Sequence, residues 1–238
     1  MQKMSSSWSP LEDALRAYRG GDASATVLMR TDVGGAEEVP VALFFRAPED
    51  MGAVEAEALR LARGRVLDLG SGPGAHAVPL VRRGLEVTAV EILPEARAAL
   101  GEGGVSDVRA DAEAVGAEER FDTVLVLMNG LGLCESLEGL GPFLARLAGV
   151  LEEGGQILAD STDPTDWGDP RDGRYPGEVH MQLGFAGRWG EPFPFLFVDA
   201  DILRVTAAGQ GLDVGVVAGE ADGRYLARIT RRGPPPTP

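Results

Sequence analysis

Arg65-Val66-Leu67-Asp68-Leu69-Gly70-Ser71-Gly72-Pro73-Gly74-Ala75-His76 is the stretch on which the fold turns. A short apolar run meets three glycines at every second position, and Ala77, Val78 and Val81 then resume at helical spacing. Strand, glycine turn and helix in that order open a βαβ unit. Glycines there let a ligand touch the backbone, and the helix N-terminus faces that ligand. Read permissively, the turn also satisfies the G-x-G-x-x-A pattern of dinucleotide sites. Two acids bear on the choice. Asp68 stands two residues before the first glycine, where it would repel a pyrophosphate but attract an ammonium or sulfonium. Glu91 closes the next strand, Glu86–Val90, at the position from which an acid accepts hydrogen bonds from ribose hydroxyls. Taken singly, Asp68 also reads as a helix cap and Glu91 as an exposed strand end.

Outward from this stretch, apolar runs at 65–69, 86–90, 107–110, 121–128 and 156–159 alternate with helical patterns. The helices are expected at 51–63, capped by Asp50, at 77–84, at 94–100 with Pro94 in the first position, and at 142–151, ended by Gly154-Gly155. Such alternation signals a parallel α/β sheet. Residues 162–177, rich in proline and glycine, read as a long loop, and 178–186 with 193–198 as a hairpin. Asp199 is placed to cap a helix to about 208, before two strands at 212–218 and 224–230. In front, a helix at 10–18 precedes a hairpin of 26–30 with 39–45. The expected organisation is an N-terminal cap (1–50), a main domain (51–230) with 162–198 as an inserted lid, and a disordered tail (231–238).

The 238 residues are 44% hydrophobic and carry a formal charge of -15, which excludes wholesale disorder and disfavours nucleic acid and anionic membranes as partners. One cysteine, Cys134, rules out an internal disulfide framework, and two histidines, His76 and His180, are too few for a dedicated zinc site, so no metal is expected. No secretory leader or membrane-length apolar run is readable, and a cytoplasmic protein is expected.

With these motifs placed, residues 51–161 resemble the class I S-adenosylmethionine-dependent methyltransferases, and 199–230 follow their general pattern. The resemblance implies a doubly wound, seven-stranded, mostly parallel α/β sheet whose last strand, 224–230, runs antiparallel. It implies S-adenosyl-L-methionine as cofactor, held by Asp68, Gly70, Ser71, Gly72, Gly74 and His76, with Glu91 and Ile92 at the ribose, Asp111 and Ala112 at the adenine, and Met128 near the methyl. Phe121-Asp122-Thr123-Val124-Leu125-Val126-Leu127-Met128 resembles the fourth strand, whose end faces the transferred methyl. The sequence departs from the family's amino-methylating members just beyond it. Asn129-Gly130-Leu131-Gly132 brings neither proline nor aromatic, so a flipped base finds no stacking partner.

The expected partner is a small-molecule acceptor methylated at oxygen or nitrogen. Asn129 is the candidate for orienting the nucleophile and His180 for accepting its proton, since imidazole titrates in the useful range. Seven of the 14 aromatics fall between Trp167 and Phe197, and Arg174, Tyr175 and Trp189 are the candidate acceptor-binding residues. A peptide or protein acceptor, a dinucleotide-dependent oxidoreductase and a non-catalytic cofactor-binding regulator remain open on the residues alone.

Overall fold

The computed structural model describes residues 6–168 and 173–233. Seven strands build the main sheet: β3 (Arg65–Leu69), β4 (Glu86–Val90), β5 (Asp107–Arg109), β6 (Phe121–Val126), β7 (Leu151–Thr162), β11 (Leu212–Gly219) and β12 (Arg224–Arg231). Their order is β11-β12-β7-β6-β3-β4-β5. Neighbours from β7 to β5 are parallel, and β12 is antiparallel to both β7 and β11. The chain leaves β3 toward β4 on one side and returns to β6 on the other. The β3/β6 boundary is therefore the switch point, where such sheets open a crevice at their carboxyl ends.

Helices α2 (Ala53–Leu61) and α3 (Ala77–Arg82) cover one face of this sheet, with Val54, Ala58, Ala77 and Leu80 packed against Val66, Leu125 and Leu158. On the other face, α5 (Leu137–Gly149) and α6 (Ala200–Gly209) bury Leu140, Leu144, Leu203 and Ala207 against Val124, Ile157 and Ile229. Asp199 caps α6 as expected, its Oδ1 accepting from the backbone N–H of Asp201 and Ile202 at 2.9 Å.

The N-terminal and inserted hairpins are one structure. Strands β1 (Thr26–Thr31), β2 (Ala36–Pro40), β8 (Glu178–Phe185), β9 (Arg188–Trp189) and β10 (Phe193–Leu196) form a second antiparallel sheet, in which β1 pairs with both β2 and β8. Its core, including Val27, Val179, Met181, Leu183 and Phe195, closes on Ala14 and Leu15 of α1 (Ser9–Arg19), and on Leu93 and Ala96 at the start of α4 (Pro94–Glu102). Glu12 of α1 fixes that junction, its buried carboxylate accepting from the Glu95 N–H.

Several element ends differ from the sequence expectation. α2 starts after Gly52, because Asp50 lies in a 3-10 turn and the carboxylate that accepts from Val54 N–H is Glu220, delivered from the β11–β12 turn. β2 stops at Pro40, which has no N–H to continue the ladder, and Val41–Phe45 coils into a 3-10 helix. α5 begins at Leu137, capped by Ser136, and carries Pro142 inside it. Gly154-Gly155 lies inside β7 rather than after a helix: Gly154 is left-handed and the pairing with β6 shifts register there, as in a bulge. At the C-terminus, Arg231 and Arg232 are hydrogen-bonded to Ala148 and Gly211, and the remainder of the expected tail, 234–238, lies outside the described residues.

The two sheets meet where Gly132, just beyond β6, passes under the ring of Phe195. A Cβ at Gly132 would lie 2.2 Å from that ring. Gly132→Ala is expected to cost about 1–3 kcal/mol of unfolding free energy through overpacking, measured by urea titration. An unchanged midpoint would show that the two sheets are not rigidly joined there.

Candidate active site

The glycine turn is held by backbone bonds before any ligand arrives. Gly70 and Ser71 N–H both donate to Val90 O, at 2.9 and 3.1 Å, and the Ser71 hydroxyl donates to Asp68 O at 2.7 Å. Gly70, Gly72 and Gly74 all have positive φ (75°, 54° and 107°), which only glycine adopts without strain. Glu91 staples the turn to the next strand: Oε2 accepts from Gly72 N–H and Oε1 from Leu93 N–H, both at 2.8 Å. Burial pushes the Glu91 carboxyl up, opposed by those N–H donors. Ile92, half-buried, packs against the core of the second sheet.

Asp68 ends β3 with 1% of its surface exposed, and its Oδ2 has no partner. Burial raises its carboxyl, with His76 and Ser71 acting against that. Half-buried Asp111 caps the 3-10 turn Ala112–Ala114, its Oδ1 accepting from Glu113 N–H at 2.9 Å, and Ala112 is exposed beside it. Across the switch point, Met128 and Asn129 are consecutive left-handed residues (φ 63° and 58°), backbone that non-glycine residues rarely sustain. Asn129 Oδ1 accepts from the Thr162 hydroxyl at 2.9 Å.

Beneath the turn lies a buried ionic network that the sequence reading missed. Glu55 of α2 takes His76 Nε2 on Oε1 at 2.6 Å, pairs with Arg46 through the same oxygen, and meets Arg224 Nη1 through Oε2 at 3.4 Å. Arg224 Nε donates to Asp160 Oδ2 at 2.6 Å, and Asp160 Oδ1 accepts from Gly130 N–H at 3.4 Å. Burial alone would raise the Glu55 carboxyl. The His76 hydrogen bond, with both guanidiniums, outweighs it and holds the group down to about 2. Asp160 goes the other way, raised by burial against the pull of Arg224. A signal for Glu55 existed, since it shares the inward helix face of Ala58 and Leu59 at i+3 and i+4. Asp160, an acid ending an apolar strand, repeats the pattern of Asp68.

The acceptor candidates divide. His180 and Arg174 meet each other around Asp32 of the β1–β2 connection, which accepts from His180 N–H at 2.9 Å and from Arg174 Nη2 at 3.1 Å. The Tyr175 hydroxyl instead donates to Asp199 Oδ2 at 2.6 Å and accepts from Asp199 N–H, so it buttresses the α6 cap. Burial and the Asp199 charge push that phenol up. Trp189 is partly exposed on β9, with Arg30 over its ring at 4.1 Å. Cys134 is buried and its thiol is pushed up to about 12, which leaves it protonated.

The family described as "Methyltransferase domain" matches residues 66–155. A solved S-adenosylmethionine-dependent methyltransferase from Bacteroides fragilis, in complex with S-adenosyl-L-homocysteine, is 29% identical and superposes with a TM-score of 0.86, over 97% of this chain and 98% of that one. The DhpI–SAH complex is 18% identical with a TM-score of 0.63, over 95% and 96% of the two chains. The sugar N-methyltransferase KedS8 from Streptoalloteichus sp ATCC 53650 is 21% identical with a TM-score of 0.59, over 84% of this chain and 96% of that one. At those two identities the likeness bears on the fold. No curated protein matches in sequence. Residues 66–155 thus carry a methyltransferase domain, and the chain has the class I, Rossmann-like fold of S-adenosylmethionine-dependent methyltransferases.

In this methyltransferase, the network under the turn gives a pH signature. The Glu55 carboxyl falls from an ordinary value of 4.5 to about 2 on folding. A depressed folded pKa contributes stability that is fully present above 4.5 and lost as pH falls toward 2. Asp68, Glu91 and Asp160 shift the opposite way, so comparison with Glu55→Gln isolates the Glu55 contribution. Urea unfolding near pH 7 and near pH 3 is expected to show the wild-type advantage shrinking at the lower pH. An advantage of the same size at both would remove Glu55 from the network.

Proposed function

We propose that this methyltransferase moves a methyl group from S-adenosylmethionine to an oxygen or nitrogen of a small organic acceptor. The observation that carries the cofactor side is the turn itself, with a partnerless buried carboxylate oxygen on Asp68 beside glycines that leave space above them. A Cβ at Gly72 would meet nothing within 4 Å, and one at Gly70 only Leu133 Cδ1 at 3.5 Å. A cofactor with a cationic amino-acid end and an uncharged ribose fits that donor set, whereas a pyrophosphate would meet Asp68. Bound there, S-adenosylmethionine supplies an activated methyl, and the protein's work is alignment and exclusion of water.

In this reading Gly70, Ser71, Gly72, Gly74 and His76 line the amino-acid end. Glu91 keeps one lone-pair site on each oxygen for the ribose hydroxyls, with Ile92 beside it. Asp111 and Ala112 receive the adenine, and Met128 stands at the methyl. The left-handed pair Met128-Asn129 turns the Asn129 amide toward the acceptor edge, where its N–H groups orient the nucleophile. His180, backed by Asp32, takes the proton when one is lost. The second sheet is the lid, with Arg174, Trp189 and the ring of Tyr175, whose hydroxyl is held by Asp199, its acceptor-side residues, and residues 51–230 form the methyltransferase domain beneath it. Leu43, Leu133 and Trp167 are exposed apolar side chains among the described residues, and they suit an acceptor with an apolar part.

Calorimetric titration is expected to give micromolar binding of S-adenosylhomocysteine and none of NAD. Asp68→Ala and Glu91→Ala should each weaken the former about 10-fold or more, as lost charge-assisted hydrogen bonds do. Tighter binding of NAD, or unchanged affinity in both variants, would overturn the reading.

A further inference from the structure

Among the described residues only two buried side-chain polar atoms have no partner, and one is Asp68 Oδ2 at the cofactor turn. A second acceptor stands close by. His76, 4% exposed, is held through Nε2 by Glu55 at 2.6 Å. Glu55 is ionised near neutrality because Arg46, Arg224 and the imidazole outweigh its burial. A carboxylate can only accept, so Nε2 carries a proton, and in the neutral imidazole Nδ1 presents a lone pair. That nitrogen has no hydrogen-bond partner among the described residues and is not sealed from solvent. His76 and Asp68 lie near enough to interact electrostatically, on either side of the glycine turn.

We propose that Glu55 is a positioning residue which, through His76, completes with Asp68 a cradle of two acceptors for the α-ammonium of the bound cofactor. The proposal rests on the S-adenosylmethionine reading above. An ammonium has three N–H donors and no acceptor, so it satisfies Asp68 Oδ2 and His76 Nδ1 together. A neutral or anionic group at the same place leaves both lone pairs facing it unmet. Glu55 fixes the tautomer: without an acceptor at Nε2, the proton is free to move to Nδ1 and turn that atom into a donor. Arg46 and Arg224 keep Glu55 ionised, which ties the N-terminal segment and the start of β12 to the cofactor's amino end.

The test compares calorimetric affinities for S-adenosylhomocysteine and its deaminated counterpart, which keeps the adenosine, thioether and carboxylate. Wild type is expected to prefer the amine-bearing ligand by about 10- to 100-fold, the range of hydrogen bonds to a charged group. His76→Gln keeps a donor within reach of Glu55 but has no acceptor in the place of Nδ1. It should lose about 10-fold of that preference with little change toward the deaminated ligand. His76→Asn places a carbonyl oxygen in the position of Nδ1 and should retain more of the preference than His76→Gln. Glu55→Gln should lower the preference by letting its amide donate to Nε2. Thermal melts accompany each variant, and the two His76 variants decide the outcome if Glu55→Gln does not fold. Full wild-type preference in His76→Gln, or equal weakening toward both ligands, overturns the cradle and leaves His76 a packing residue. Wild type binding both ligands equally overturns it too. Wild type binding neither overturns the cofactor reading itself.

Discussion

The ionised carboxylate of Glu55 joins three segments of the chain beneath the glycine turn. It takes Arg46 from the N-terminal segment, His76 from the first turn after the glycines, and Arg224 from the antiparallel strand β12. Its side chain is 3% exposed, so an ion there is costly unless several donors surround it. Those donors are supplied, and the carboxyl is pulled far below its ordinary value. A buried ion satisfied by residues from distant segments gives specificity more surely than net stability, because removing one partner leaves the others uncompensated. Here that specificity lies under the glycine turn.

Asp68 and Glu91, the two acids at the turn itself, are buried for different ends. Glu91 spends one site on each oxygen on backbone N–H groups of Gly72 and Leu93, and so shapes the turn while keeping acceptor capacity. Asp68 keeps Oδ2 unmet. An unpartnered buried carboxylate oxygen is expensive in a folded protein, and its place at the switch point of the sheet makes a cationic ligand its natural complement. The strained pair Met128-Asn129 stands across the same crevice, so orphaned charge and backbone strain gather at the switch point of the sheet.

The alternation of apolar strands with helical periodicity was enough to place the five parallel strands and the turn, because burial on both faces writes near-continuous apolar runs into a parallel sheet. Asp68, Gly70, Gly72 and Glu91 stood out as candidates for the same local reason: each sits at a strand end or in the turn. Glu55 and Asp160 stood out less. Each stands on an inward face or in an apolar strand, which is a signal, but their partners Arg46 and Arg224 are arginines among many. Tyr175 illustrates the opposite case. Its position in a loop rich in proline and glycine suggested a ligand contact, while its hydroxyl turns to the cap of α6.

The sequence by itself determined the class of fold, the strand that carries the glycine turn, and the acids at its ends, since strand periodicity and glycine's access to positive φ are properties of short segments. Only the tertiary structure decided that the N-terminal and inserted hairpins share one sheet, through pairs such as Leu28 with Gly184. It also decided that Glu220 caps α2 and that Glu55 gathers Arg46, His76 and Arg224. Most of those contacts join residues that lie far apart along the chain. A charged side chain chooses its partner by which elements pack together, and local pattern does not record that choice.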